Sequence, residues 1–225
     1  MAINSNAITM PIDEDCFTYQ DVEGGIEITD YSTSCPRVVV IPSKIDNKSV
    51  VSIGEGAFEV NLSESEISYN KLNKGIEFMS NDVELALILK GNIEKVIIPN
   101  SITYIGDDAF SGNQITLVKL GNNVEYIGQD AFSGNLLTEI SLPVSIIAID
   151  NDAFRYNRLS GELDLSNLIN LNYIGGYAFS DNLLSGAIVP DNVVSFCDSF
   201  RWNNDDFVGI YKGETFTLGG GACAE

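Results

Sequence analysis

Apolar residues recur two apart in the middle of the chain, as Val96/Ile98, Val118/Leu120 and Ile140/Leu142. Side chains two apart on a strand share one face, so each pair predicts a short strand with both residues turned inward. Pro99 or Pro143, with Gly121 in the equivalent place, ends that strand, because proline gives no ladder N–H and glycine permits the turn. A second apolar pair follows at a spacing of three, Ile102/Ile105 and Val124/Ile127, and turns the chain back over the core. Gly106, Gly128 and Gly175 then supply a corner. Asp108, Asp130 and Asp152 fall where the N-cap of a single short helical turn would sit. Ala109, Ala131, Ala153 and Ala178 are small enough to let neighbouring segments approach closely. Phe110, Phe132, Phe154 and Phe179 are placed to stack as a buried column.

The pattern is periodic. "GDDAFSGNQI" at 106–115 returns as "GQDAFSGNLL" at 128–137, "DNDAFRYNRL" at 150–159 and "GGYAFSDNLL" at 175–184. The asparagine three residues after each phenylalanine sets a frame of Asn113, Asn135, Asn157 and Asn182. The frame extends to Asn92 and Asn70 upstream and Asn203 downstream, with intervals of 22, 21, 22, 22, 25 and 21. Such regularity predicts a stacked array in which each coil buries its apolar face only against its neighbours. A buried asparagine at every period can bond the backbone groups that each irregular corner leaves unpaired.

The full template, clearest in "IPNSITYIGDDAF" and "LPVSIIAIDNDAF", resembles the BspA-like class of leucine-rich repeat over roughly 38–203. The expected fold is an α/β or mainly-β solenoid with short parallel strands. About seven coils of 21–25 residues are expected, with irregular or short helical turns on the convex side. The N-terminal part is similar to that family's usual entry. Two alternating apolar runs flank Gly24-Gly25, which predicts a hairpin covering the open end of the first coil. The organisation expected is a hairpin cap over 1–37, the leucine-rich repeat solenoid over 38–203, and a C-terminal cap or linker over 204–225. Departures from the template are also visible. The coils at 70–91 and near 182–203 lack the Ala-Phe pair, with "ILKGN" and "DSFRWN" in its place. Extra residues after Phe58 predict a bulge, and three more enlarge the coil around Leu168–Leu171.

Composition narrows the functional classes. Apolar residues form 44% of the chain, enough for a continuous core, and no run approaches the ~18 apolar residues of a membrane span. "MAINSNAITM" lacks a basic start and an apolar middle, so the chain is expected either in the cytosol or as a mature fragment of a longer precursor. A net charge of −20 repels phosphate backbones and anionic lipid, which excludes nucleic acid and membrane insertion as expectations. Cys16, Cys35, Cys197 and Cys223 lie only near the ends. Pairing within each end, Cys16–Cys35 and Cys197–Cys223, would staple two caps and favour an oxidising setting; four reduced thiols is the alternative. No histidine, GxSxG or phosphate-binding loop is present, so neither catalysis nor a cofactor is expected. The column Asp108/Asp130/Asp152 could attract Ca²⁺ if its carboxylates sit about 4.8 Å apart. Three separate caps facing water is the simpler reading, because calcium loops bring several ligands within one short segment.

Two surfaces offer candidates for binding. In a leucine-rich repeat the residue between the inward pair faces the concave side, here approximately Glu77, Ile97, Lys119, Ser141 and Asp164. Tyr104, Tyr126 and Tyr173 each precede the buried Ile of the "IG" element, with Ala148 interrupting, and form an outward partial stripe. Such rings suit sugar stacking or a protein partner, or simply pack on one another across coils. Trp202 is expected to seal the last coil. The candidate ligand-binding residues are therefore Tyr104, Tyr126, Tyr173, Lys119, Glu77 and Asp164. The resemblance implies a secreted or surface-anchored protein, often an adhesin. The expected function is a non-catalytic extracellular recognition module, monomeric, binding a protein or glycan on a host or neighbouring cell. A structural spacer or accessory domain of a larger cell-surface protein is the alternative.

Overall fold

The structure, a computed structural model, describes residues 14–59, 93–196 and 198–217. A short 3-10 helix, Glu14–Cys16, leads into a hairpin of β1 (Phe17–Val22) and β2 (Gly25–Tyr31). Gly24 makes the reversal at a φ of 86°, where a side chain would be strained. The first coil contributes β3 (Val38–Val40), β4 (Lys44–Ile45) and β5 (Lys48–Ile53). The coils that follow hold β6 (Lys95–Ile97), β7 (Tyr104–Ile105), β8 (Leu117–Lys119), β9 (Tyr126–Ile127) and β10 (Ala148–Ile149). After them come β11 (Ser160–Asp164), β12 (Tyr173–Ile174), β13 (Leu183–Val189), β14 (Val208–Tyr211) and β15 (Glu214–Phe216).

Short strands at equal places in successive coils can pair only with their neighbours above and below. The "YI" positions form one sheet in the order β1-β2-β5-β7-β9-β10-β12, parallel from β2 onward, with β4 antiparallel on β5. The predicted inward-pair strands split into two sheets, β3-β6-β8 and β11-β13-β14-β15. The coil between them, with Ile140 and Leu142, carries no strand at that position, so the ladder breaks there. Its two neighbours present strands of three and five residues, β8 and β11, and β11, which belongs to the enlarged coil, pairs with β13 with a register shift between Gly161 and Glu162. That enlargement adds Leu168 to the core and leaves Ile169 outside, while Leu165 and Leu171 hold the regular places.

The core is a stack of rings. Phe58, Phe110, Phe132, Phe154, Phe179 and Phe200 follow one another at centroid distances of 4.6, 5.1, 5.4, 5.4 and 5.6 Å. Ser199-Phe200 therefore fills the place of the Ala-Phe pair that "DSFRWN" lacks. Phe58 stacks directly on Phe110, and β5 pairs directly with β7. The expected coil at 70–91, with the frame positions Asn70 and Asn92, lies outside the described residues. Among the described residues six coils stack, one for each ring. Phe17 and Tyr31 of the hairpin close one end of the column against Phe58, and Phe207 and Phe216 close the other against Phe200. A Cys16–Cys35 disulfide ties the start of the hairpin to its end. Cys197 and Cys223 lie outside the described residues.

Each coil is bonded to the next through its asparagine. Asn135 Nδ2 donates to Phe110 O of the preceding coil at 2.9 Å and to Phe132 O of its own at 3.1 Å, while its Oδ1 accepts the Ile115 N–H at 3.0 Å. Asn113, Asn157, Asn182 and Asn203 repeat the arrangement. All five are buried, so these bonds satisfy backbone groups that no water could reach.

The corners differ from the helical turns expected. Gly106 O accepts the Ala109 N–H at 3.4 Å and Asp108 O accepts the Ser111 N–H at 2.9 Å, giving two overlapping turns. Asp108, Asp130 and Asp152 sit in them with φ of 53°, 53° and 56°, a left-handed conformation that aspartate tolerates and an N-cap does not use. The cause lies between coils: the Phe110 N–H donates to Ala131 O at 2.8 Å, and the Phe132 N–H to Ala153 O at 2.8 Å. A helical turn would direct those groups along its own axis and break the ladder. Burial, and then the charges of Asp130, Glu59, Asp107 and Glu55, push the Asp108 carboxyl up to about 6.

Two outcomes follow from the column and its corners. Phe132→Ala should cost ~3–5 kcal/mol in urea unfolding. Asn135→Ala should cost ~2–4 kcal/mol by stranding buried backbone groups; a loss below ~1 kcal/mol in either would show that the column is not the core. Asp108 holds its proton more tightly folded than unfolded, so its contribution to stability is present below about pH 4 and lost as pH rises through about 6. Asp108→Asn should therefore gain ~1 kcal/mol over the parent near neutral pH, a value reduced by solvent screening, and nothing below about pH 4.

Candidate binding site

The tyrosine stripe is real for two of its three members. In the sheet of "YI" positions the register runs Ser52, Tyr104, Tyr126, Ala148, Tyr173, Ser195. Tyr104 and Tyr126 stack at 5.0 Å with an interplanar angle of 2°. Tyr173 lies two coils from Tyr126, beyond Ala148. The Tyr126 hydroxyl donates to Asp150, which occupies the corner place held by glycine at 106, 128 and 175. Burial, and then this bond, raise the Tyr126 phenol above its ordinary range. Tyr104 and Tyr173 are also raised, chiefly by burial. Tyr126 is thus engaged within the stack, and Tyr104 is the ring of this stripe most open to solvent.

The strand-face candidates fall on two different sheets. Lys119 lies on β8 in register with Ile97 and Val40. Asp164 lies on β11, in the other sheet, beside Ile188 and Ile210. Hydrogen bonding by Ser166 lowers the Asp164 carboxyl below its ordinary value. The strandless coil separates the two residues. Glu77 lies outside the described residues.

A third group, absent from the expected candidates, lies along the corners of the last three coils. Arg155 donates to Asp152 at 3.0 Å and to Asp181 at 2.8 Å. Its guanidinium carbon lies 4.4 Å from the ring centre of Tyr156 and 5.3 Å from those of Tyr177 and Trp202. Tyr177 and Trp202 stack at 5.5 Å and 9°. Arg201, bonded to Asp198 at 3.0 Å, lies 5.7 Å from the Trp202 ring. Trp202 is 53% exposed. It does not seal the last coil, because Phe207 and Phe216 already cover Phe200 there.

Backbone geometry sets these aromatics apart. Tyr156, Tyr177 and Trp202 have φ of 54°, 59° and 53°. Tyr156 and Trp202 stand where earlier coils place Gly112 and Gly134, at φ of 68° and 65°. Tyr177 stands where the others place Asp108, Asp130 and Asp152. A bulky residue in the left-handed region costs ~1–3 kcal/mol unless its surroundings over-determine it. The signal was present in the repeat: "FSGN" at 110–113 and 132–135 becomes "FRYN" at 154–157 and "FRWN" at 200–203.

Comparison with known proteins agrees with this architecture. The model of the BspA-type leucine-rich repeat region matches residues 87–206 in six copies. A leucine-rich repeat protein from Bacteroides ovatus is 18% identical, with a TM-score of 0.54, over 84% of this chain and 51% of its own. The chain spans about half the length of that protein. The Treponema pallidum (T. pallidum) leucine-rich repeat protein is 19% identical, with a TM-score of 0.52, over 88% of this chain and 81% of its own. These likenesses show the fold alone. No curated protein matches the chain. With more than half of the chain matched, and with the ring column and asparagine ladder in place in every coil joined, the chain belongs to the BspA-type leucine-rich repeat family.

Proposed function

We propose that this chain is a non-catalytic recognition module, displayed outside a bacterial cell, that binds a protein or glycan through the surface of its solenoid. The observation that carries this reading is the division of labour among the coils. Residues that recur in every coil are consumed by the stack, whereas the outward residues that vary gather exposed rings, Tyr104 on one face and Trp202 on another. Rings with one apolar side and one wet side are the side chains most used for recognition. The Cys16–Cys35 disulfide supports an oxidising compartment. The −20 charge supports solubility there and disfavours nucleic acid as a partner.

Glycan and matrix-protein arrays probed with the whole chain test the reading. Saturable capture of at least one class is expected, and capture of neither supports a spacer or accessory domain instead. Tyr126→Ala, which removes a stacked ring and an engaged hydroxyl, should lower stability by ~2 kcal/mol. Loss of capture by Tyr104→Ala at an unchanged melting temperature would assign binding to the tyrosine stripe.

A further inference from the structure

Within that recognition reading, we infer that the stacked Tyr177/Trp202 pair is a binding platform for a pyranose ring of a neutral glycan. Trp202 belongs to the last coil, is covered on one side by Tyr177, and leaves more than half of its surface open. The face of a pyranose presents C–H groups at a spacing that suits an indole, so the sugar continues the aromatic stack as its next rung. Around the rings, the Asp181 and Asp198 carboxylates offer acceptors, and the Arg201 guanidinium offers donors, for the sugar hydroxyls. Arg155 is a positioning residue. Two carboxylates hold its guanidinium within 5.3 Å of both platform rings, which fixes them before any ligand arrives.

Three observations select this ligand. The first is that the rings sit at left-handed positions where other coils carry glycine or aspartate, so stacking alone could have been met by residues that suit the corner. The second is size: the patch comprises a few side chains along a line of turns, far fewer than the ~20–30 residues a side of a stable protein interface. The third is charge. A chain at −20 repels sulfated or sialylated glycans and leaves neutral ones unaffected.

Trp202 is the only tryptophan in the chain, so its fluorescence reports this site alone. The whole chain should be titrated with cello-, laminari-, manno- and chito-oligosaccharides. A saturable change in emission with at least one of them is expected. Trp202→Gly and Tyr177→Asp restore the residues that other coils hold at these corners, and should fold with an undiminished melting temperature. Both should weaken binding of the same sugar by about tenfold or more in calorimetry. The inference is overturned if no sugar gives a saturable change, or if both variants bind the sugar as the parent does. A matrix protein whose capture depends on Trp202 would also overturn the choice of a glycan. Array capture that survives Trp202→Gly rejects this platform and leaves the recognition reading intact, whereas an absence of all capture rejects both.

Discussion

The carboxamide at the end of each coil bonds two coils at once, and the geometry of the stack follows from that reach. Asn157 donates to the carbonyls of Phe132 and Phe154 and accepts the Leu137 N–H, so three backbone groups of two coils converge on one side chain. The bond lengths fix the height of one coil above the next. Rings at equal places then fall at stacking distance, and the short strands fall at pairing distance. A coil of 25 residues, from Asn157 to Asn182, obeys the same spacing as one of 22, because its extra residues are absorbed between the fixed points. Period is therefore a consequence of the bonds and can vary, while the interval between coils cannot.

Close approach also limits what the corners may carry. A Cβ on Gly128 would lie 2.7 Å from the Asp107 nitrogen and the Gly106 carbonyl carbon. Asp150 stands in that corner's place in the fourth coil, and its carboxylate receives the Tyr126 hydroxyl. A departure from the repeat thus gains a partner in the preceding coil. The Arg155 group shows the same logic on a larger scale, with two carboxylates and three rings from three coils arranged around one guanidinium.

Much of the fold is legible in the sequence because a solenoid repeats its neighbour relations along with its residues. The phenylalanine column, the inward isoleucines and the asparagine ladder can each be read from any two copies. What fails to be legible is instructive. Counting residues places Asn92 and Asn70 in frame, but spacing cannot tell which strands meet; the direct pairing of β5 with β7 is visible only in the structure. Aspartate suits both an N-cap and a left-handed turn, so only the inter-coil hydrogen bonds distinguish them. The candidate surfaces are harder still. Alternation correctly turns Tyr104 outward, yet it cannot show that Tyr126 spends its hydroxyl on Asp150. Trp202 looks like an end seal from its position in the chain, and only the placement of Phe207 and Phe216 frees it for another role.

The strands at the two ends carry a consequence for how such molecules can meet. Between them the coils run parallel, each offering the next an edge of matching direction. At the start β1 runs against β2, and at the finish β15 runs against β14. The template reverses polarity at both extremities. In each of those sheets the outermost strand therefore presents an edge of reversed direction to any further strand. Within the described residues, the parallel stack is thus bounded at each end by a strand of opposite direction.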